Sequence, residues 1–126
     1  MLIAAVSKKY DITIDTLRYY ERVGLIPRVR RASGGARDYA EGDLGWVEFV
    51  KCMRGAGVEI AALREYLRLH LEGDATIGAR KQILIDQRAK IAAKIADGQA
   101  LLDKLDNKIK TYERSLLPFE NSLSER

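Results

Sequence analysis

Cysteine and histidine are scarce in this chain. Its 126 residues include one cysteine, Cys52, and one histidine, His70. A single cysteine excludes an intramolecular disulfide, and these two residues fall short of a dedicated thiolate or imidazole metal site. Together with scattered carboxylates they form no recognisable catalytic constellation. We therefore expect no cofactor, no metal and no enzymatic activity.

Long apolar runs are absent as well. No run of about 18 apolar residues is available to span a membrane, and the start MLIAAVSKKYD lacks the apolar region and cleavage site of a signal peptide. The sequence therefore predicts a cytoplasmic protein with no membrane partner. A composition of 47% hydrophobic and 32% charged residues fits one small domain plus an extension.

The positive charge is unevenly distributed. The net charge is +4, and residues 1–39 hold eight Lys or Arg against four Asp or Glu, whereas residues 40–75 hold four against seven. A basic N-terminal part favours a polyanion partner such as nucleic acid, although a solvated charged face is the commoner meaning of such an imbalance.

Helix signals dominate the first part of the chain, and no long alternating strand pattern occurs, so the fold is predicted to be mainly α. A first helix covers about Ile3–Lys9. A second begins after Thr13, whose hydroxyl can cap it, and has Asp15 in its first turn. Gly24 ends this helix and Pro27 prevents its resumption. The pattern indicates a helix pair whose polar side is free to contact another molecule.

A basic, glycine-containing segment follows, with the sequence PRVRRASGGARDY. Two short extended pieces joined at Ser33-Gly34-Gly35 would form a β-hairpin, because consecutive glycines accept the positive φ of a tight turn. A basic hairpin beside a helix pair is a wing. The alternative for the segment taken alone is a solvated loop.

Two more helices are predicted before Gly73. The third runs from about 41 to 54 and carries an apolar stripe that we expect to lie in the core, namely Trp46, Phe49, Val50 and Met53. The fourth runs from about 60 to 71, and its expected buried row consists of Ile60, Leu63, Leu67 and Leu71.

A single long helix is predicted for residues 76–117, where no proline or turn cluster occurs. Its C-terminal part has the alternating four- and three-residue spacing of a coiled-coil seam, formed by Ile91, Ile95, Gly98, Leu102, Leu105, Ile109, Tyr112 and Leu116. Because the chain has no second long helix, the simplest partner is another copy, which predicts a homodimer. Pro118 is expected to end the helix. The predicted domains are a head at 1–74, a dimerisation helix at 75–118 and a tail at 119–126.

Three features together resemble the MerR family of bacterial transcription regulators. They are the stretch ITIDTLRYYERVGLIP, the RDY after the wing glycines, and the long terminal helix, so the resemblance covers the whole chain. The segments WVEFVKCMRGAG, EGDATIGARKQIL and KLDNKIKTYE are similar to the branch that responds to aldehydes and other electrophiles. The metal-sensing branch places cysteines near the end of the long helix, where this sequence has none.

The resemblance implies a fold and a mode of action. A winged helix-turn-helix head would precede a long helix, and two such helices would form an antiparallel dimeric coiled coil. The homodimer would bind a pseudo-palindromic operator in double-stranded promoter DNA and would bend and untwist the duplex between the half-sites. RNA polymerase would be affected indirectly, through the promoter.

The resemblance also implies contacts with DNA, residue by residue. Arg18 and Tyr19 on the second helix match major-groove positions, with Thr16 nearby. Arg37 matches the wing arginine, and Arg54 matches a phosphate contact after the third helix.

The wing departs from the family pattern at one position. Many relatives have an aromatic residue before the wing arginine, where this chain has Ala36, and Arg30 and Arg31 can compensate electrostatically. Tyr39 also belongs to the predicted DNA-binding set. The alternative of a structural role, holding the helix pair and the wing together, applies to Tyr20, Glu21 and Tyr39.

Cys52 lies at the margin of the apolar stripe of the third helix. A lone cysteine is commonly a buried small hydrophobe. Its charged neighbours do not decide whether the thiol is reactive, because Glu48 opposes Lys51 and Arg54. The resemblance favours a sensor, since the matched branch carries a cysteine at this place. A small carbonyl or other electrophile, to which a thiolate adds, is the predicted inducer.

Two alternatives remain open. The chain could be a regulator of the same type that binds a non-covalent ligand between the head and the coiled coil, with Cys52 structural. It could also be a purely structural coiled-coil protein, which the basic wing and the TLRYYERVGL motif disfavour.

Overall fold

The computed structural model describes residues 1–124, which are mainly helical, as predicted. The α-helices of this part of the chain are α1 (Ile3–Tyr10), α2 (Ile14–Arg22), α3 (Glu41–Gly55), α4 (Ile60–Glu72), α5 (Ile77–Lys110) and α6 (Leu117–Ser124). A 3-10 turn, Asp74–Thr76, precedes α5, and a π-helical turn, Tyr112–Leu116, precedes α6. Extended pairing within residues 1–124 is limited to two isolated β-bridges.

The described chain forms two compact units. The first is Met1–Arg88 and contains α1 to α4 with the beginning of α5; the second begins at Ala89. The first unit extends beyond residue 74 because the buried side chain of Gln87, on α5, accepts a hydrogen bond from the N–H of Glu59 at 3.1 Å. Glu59 precedes α4, so this bond ties the beginning of α5 to the first unit. The predicted domain limits stay a prediction.

The core of the first unit combines residues from α1 to α4 and from the wing. Its buried apolar side chains are Val6, Ile12, Leu17, Tyr20, Leu25, Ile26, Val29, Tyr39, Val47, Val50, Val58, Leu63 and Leu67. On α4 the predicted Leu63 and Leu67 are therefore buried, whereas Ile60 is half-buried and Leu71 is exposed, which corrects the ends of the predicted row.

The buried face of α3 differs from the predicted stripe. Val47 and Val50 are fully buried, while Trp46, Phe49 and Met53 are half-buried. The aromatic rings turn toward α4, where the ring of Tyr66 lies 5.9 Å from Trp46 and 5.3 Å from Phe49, measured between centroids. The valine face of α3 thus points into the core, and its aromatic face covers α4.

A tight turn joins α1 to α2. Asp11 ends α1 in the left-handed region, at φ 53°, and its N–H donates to the carbonyl of Ser7. The hydroxyl oxygen of Thr13 then accepts from the N–H of Thr16 at 3.1 Å, which is the predicted N-cap of α2. Gly24, at φ 80°, follows the helix and supplies the predicted helix stop.

The predicted wing is a hairpin held by a few backbone hydrogen bonds. Arg31 and Arg37 form an antiparallel bridge, and the N–H of Ala32 donates to the carbonyl of Ala36 at 2.7 Å. At the tip the N–H of Gly35 donates to the carbonyl of Ala32 at 2.9 Å, and Gly35 has a φ of 85°. A left-handed residue after such a turn is typical of a three-residue hairpin loop, which glycine adopts without strain.

The long helix is shorter than predicted. α5 has 34 residues and ends at Lys110 instead of continuing to residue 117. Pro118 does not end a helix: it is the second residue of α6, which follows the π-helical turn directly. The predicted tail therefore begins within α6, and its last two residues lie outside the described part. Within residues 1–124, no helix combines the length and the apolar character needed to cross a membrane.

Candidate nucleic-acid interface

α2 presents an exposed arginine on the side opposite its buried face. Leu17 and Tyr20 pack into the core, which leaves Arg18 half-exposed. The nearest carboxylate to its guanidinium is that of Asp15, one turn earlier, at 3.7 Å. An exposed ion pair of this length contributes little, so the guanidinium can exchange Asp15 for another anion at small cost.

Thr16 and Tyr19 lie on α2 beside Arg18. The hydroxyl of Thr16 accepts a hydrogen bond from the hydroxyl of Thr13 at 2.8 Å. The ring of Tyr19 is half-buried, and the guanidinium carbon of Arg22 lies 5.7 Å from its centroid, within the range of a cation–π contact. The three predicted α2 positions are therefore close together and reachable from solvent.

The wing adds two exposed arginines, Arg30 and Arg31. The side chain of Arg30 is 85% exposed, and its nearest carboxylate, Asp38, lies 3.8 Å away. Asp38 is held more closely by the amino group of Met1, at 3.0 Å. This hydrogen bond, with a smaller contribution from Arg30, lowers the pKa of Asp38. Asp38 was not among the predicted site residues, although it is the one carboxylate in the basic stretch PRVRRASGGARDY.

Arg37 joins the wing to α2. Its Nε donates to Oε1 of Glu21 at 2.6 Å, and the two side chains are only 17% and 12% exposed. This contact supports the structural alternative for Glu21, which holds the wing against α2. One nitrogen of the Arg37 guanidinium is thus already bonded within the chain. The predicted contact of Arg37 with DNA stays a prediction.

Tyr39 occupies the core instead of the surface. Its side chain is 2% exposed, and within the described residues its hydroxyl is buried without a hydrogen-bond partner. Burial raises the pKa of Tyr39, and the charge of Arg37 partly opposes this shift. A ring in this position packs the wing onto the helices and does not reach a ligand surface. The predicted DNA contact of Tyr39 is therefore corrected to the structural alternative.

Arg54 lies near the end of α3. Its Nη1 donates to the carbonyl of Val58 at 2.7 Å, which braces the turn between α3 and α4. The residue is exposed, and its charge partly offsets the rise that burial causes in the pKa of Tyr20. The predicted phosphate contact is compatible with this position, because a guanidinium carries further N–H donors.

Cys52 is a free, exposed thiol on α3. The interpretation as a buried small hydrophobe is therefore wrong for this chain. The thiol borders an open cavity of about 430 Å³ that the end of α1 completes with Tyr10 and Asp11. Lys51 does not turn toward the sulfur: its Nζ donates to the carbonyl of Tyr10 and so ties α3 to the end of α1.

The second unit exposes an apolar seam. Ile95, Leu102, Leu105 and Ile109 are all exposed in the single chain, with Ile95 at 68%, while Ile91 is half-buried. The last two predicted seam residues, Tyr112 and Leu116, belong to the π-helical turn instead of α5. The hydroxyl of Tyr112 donates to Oε2 of Glu120 at 3.0 Å, and this bond raises the pKa of Tyr112.

A basic helix-turn-helix with a wing, followed by a long helix with an exposed apolar seam, defines the class of winged helix-turn-helix regulators. The family model described as MerR HTH family regulatory protein matches residues 1–69, and the model described as MerR, DNA binding matches residues 44–108. The chain therefore belongs to the MerR family of transcriptional regulators.

Individual relatives agree with this assignment. The chain is 57% identical over 91 residues to the HTH-type transcriptional regulator AdhR of Bacillus subtilis (strain 168); the match covers 72% of this chain and 65% of AdhR, hence less than two thirds of that relative. AdhR and the other relatives are transcriptional regulators, not enzymes.

Solved structures show the same fold. A MerR family regulator from Listeria monocytogenes has a TM-score of 0.81 and 41% identity, covering 99% of this chain and 95% of the other. HiNmlR, a MerR family regulator that lacks the sensor domain and was solved bound to promoter DNA, has a TM-score of 0.73 and 28% identity, covering 92% of each chain. The similarity to AdhR supports the predicted branch of the family.

Proposed function

We propose that two copies of the chain bind a pseudo-palindromic operator in promoter DNA and regulate transcription by bending and untwisting the duplex. The observation that carries this proposal is the placement of Arg18 on α2 and of Arg30 and Arg31 on the wing. All three are exposed, and among residues 1–124 they pair with carboxylates only weakly or not at all. Likeness over most of the chain to HiNmlR, solved on promoter DNA, supports it.

The contacts divide by chemistry. Arg18 suits a guanine edge or a phosphate in the major groove, and Tyr19 and Thr16 suit phosphate oxygens through their hydroxyls. Arg30 and Arg31 on the wing, and Arg54 in the last turn of α3, attract the phosphate backbone and carry no sequence preference of their own. In the proposal Arg37 contacts DNA with the part of its guanidinium that is not bonded to Glu21.

The exposed seam of the second unit supports the dimer. A row of isoleucines and leucines in contact with water is unfavourable by about 25 cal/mol for each Å² of apolar surface, so a partner that covers it is stabilising. The four- and three-residue spacing fits a second helix of the same kind. In the proposed arrangement two α5 helices run antiparallel and hold the two heads at a fixed separation, which sets the distance between half-sites.

We further propose that Cys52 senses reactive carbonyl compounds. The thiol adds across the carbonyl: a sulfur–carbon bond forms, the carbon–oxygen π bond breaks, and the thiol proton passes to the oxygen to give a hemithioacetal. No oxidant or reductant is consumed. The exposure of the sulfur, its cavity against the end of α1 and the similarity to AdhR support this role. The adduct adds bulk where Lys51 joins α3 to Tyr10, and so alters the seating of the helix-turn-helix on α3.

Two experiments test these proposals separately. A mobility shift with the DNA upstream of the protein's own gene, against a scrambled duplex of equal length, tests operator binding; equal affinity for both duplexes contradicts it. Native mass spectrometry of the intact chain in excess propionaldehyde, with Cys52→Ala as the matched control, tests the thiol, because a saturated aldehyde forms only the reversible carbonyl adduct. We expect one more bound aldehyde on the original chain than on Cys52→Ala, and equal masses of adduct on the two chains contradict the sensor.

A further inference from the structure

An open cavity of about 360 Å³ lies within the first unit, beside the aromatic face of α3. Its walls come from α3, α4 and the beginning of α5 and include Trp46, Tyr66, His70 and Arg80. Volumes of about 300–1,000 Å³ are usual for sites of small organic molecules. Neither the proposed DNA contacts nor Cys52 line it, so the proposed function leaves this cavity without a role.

Aromatic rings form most of the cavity wall. The centroid of Trp46 lies 5.7 Å from that of Phe49 and 5.0 Å from that of His70, with interplanar angles of 86° and 59°. Trp46, Phe49 and Tyr66 are half-buried, so each ring packs on its neighbours and keeps part of its surface open. Edge-to-face ring clusters of this kind accept a further aromatic ring with favourable geometry.

Arg80 is the only arginine, lysine, aspartate or glutamate among the described residues that line this cavity. Its Nε donates to the hydroxyl oxygen of Thr76 at 3.0 Å, and its Nη1 lies 3.4 Å from Nδ1 of His70. Thr76 and His70 orient the guanidinium, and no carboxylate of residues 1–124 pairs with it. A positive charge at this place disfavours a cationic ligand and favours a carboxylate, for which the guanidinium has matching donors.

The glycines of α3 leave room for such a ligand. A Cβ atom built on Gly45, which also lines the cavity, meets no other atom within 4 Å. A larger residue there would extend into open space instead of into the protein. A long side chain at this position would therefore occupy space at the cavity wall.

We propose that this cavity binds a small aromatic carboxylate, with the carboxylate on Arg80 and the ring against Trp46 and Tyr66. The site is non-covalent and independent of Cys52. The regulator would thus respond to a second kind of ligand, which binds where α3, α4 and the beginning of α5 meet.

The indole of Trp46 provides a direct measurement. It is the only tryptophan of the chain, so the protein has one indole N–H signal in a nitrogen-15 correlation spectrum. Benzoate, benzyl alcohol and benzylamine are titrated into the full chain. We expect a saturable shift of that signal with benzoate and much weaker responses to the neutral and cationic analogues.

Two pairs of variants locate the site. Arg80→Gln should weaken benzoate binding by about tenfold or more, because a hydrogen-bonded charge is lost, whereas Arg80→Lys should retain part of the affinity. Gly45→Leu should abolish binding by filling the cavity, and Gly78→Leu, on the exposed side of α5, is its matched control.

Four results would overturn the proposal: no saturable shift with benzoate, an equal response to benzylamine, unchanged affinity in Arg80→Gln, or no effect of Gly45→Leu. If a second copy of the chain covers the cavity instead, the indole signal shifts on dilution of the protein and benzoate leaves it unchanged.

Discussion

The Nε of Arg37 lies 2.6 Å from Oε1 of Glu21, and this ion pair joins the wing to α2 while both side chains are largely withdrawn from water. Each charge depends on the other, because a partly buried charge without its partner is costly. The pair fixes the wing relative to the helix that carries Arg18. DNA binding that uses both the wing and α2 therefore depends on the Arg37–Glu21 ion pair, which forms within the protein itself.

Glu21→Gln tests whether this pair positions the wing. Removal of a carboxylate near DNA ordinarily strengthens binding, because a repulsion is lost. We expect the opposite here: operator affinity should fall about tenfold and the free energy of unfolding by about 1–3 kcal/mol, since Arg37 loses its partner. Fluorescence anisotropy with labelled operator and urea unfolding measure the two effects. Glu65→Gln, which breaks the exposed pair with Arg68, is the control, and tighter operator binding by Glu21→Gln contradicts the positioning role.

Arg30→Gln tests the electrostatic part of the wing. The 85% exposure of this side chain and its distance from Asp38 fit a phosphate contact. Affinity should therefore fall by the same factor for the operator and for unrelated DNA, and the slope of log affinity against log salt should become shallower by about 2, because one phosphate contact is lost in each copy. Arg88→Gln on α5 should change neither quantity. A loss confined to the operator would instead indicate that Arg30 reads a base.

Tyr39→Phe should stabilise the protein. The change removes a buried hydroxyl without a partner and should raise the free energy of unfolding at neutral pH by about 1 kcal/mol. Burial also raises the pKa of Tyr39 above its ordinary value of 10.0. A raised pKa contributes stability below the unfolded-state value, which is lost as the pH rises through the folded-state value.

The variant should thus lose less stability than the original chain when the pH rises above 10.0, the ordinary pKa of this group. Denaturant unfolding at neutral and alkaline pH measures this difference, with Tyr10→Phe as the control. If Tyr39→Phe is destabilised at neutral pH, the hydroxyl has a partner in solution and the interpretation of its burial is wrong.

Local signals made the first half of the fold predictable. Caps and turns depend only on residues close by in the chain, as at Thr13, Gly24 and the glycines of the wing. The structure confirms the helix ends and the hairpin that these residues predict. The apolar stripe of α3 was only partly correct because the helical period does not reveal which neighbour each residue faces. Val47 faces the core and Trp46 faces α4, which depends on how α3 and α4 pack.

Two features could not be predicted from the sequence: where the long helix ends, and whether Cys52 is buried or exposed. Proline usually interrupts a helix interior but is accepted in a first turn, and Pro118 is the second residue of α6. Cys52 lies at the margin of a stripe, where a small rotation of the helix decides between burial and exposure. Among the predicted DNA contacts Tyr39 was misassigned, because an aromatic residue after a basic wing suits the core as well as the surface.

Leu102→Lys tests the seam. The substitution places a charge in the middle of the proposed coiled coil, once in each copy, and should weaken the dimer by about a hundredfold or more, given about 1.5–3 kcal/mol for each buried leucine. Ala100→Lys, on the same exposed helix but outside the seam, should leave it intact. Sedimentation across a range of concentrations measures the dissociation constant. Equal behaviour of the two variants would show that this row of residues is not the interface.

The most direct test of the proposed sensor is promoter activity in the presence and absence of an aldehyde, compared between the original chain and Cys52→Ala. Operator affinity is measured in parallel, because Cys52 is exposed on α3 and its replacement should leave the DNA-binding surface unchanged. We expect Cys52→Ala to bind the operator normally and to give the same promoter activity with and without aldehyde. A full aldehyde response in Cys52→Ala would contradict sensing at this thiol.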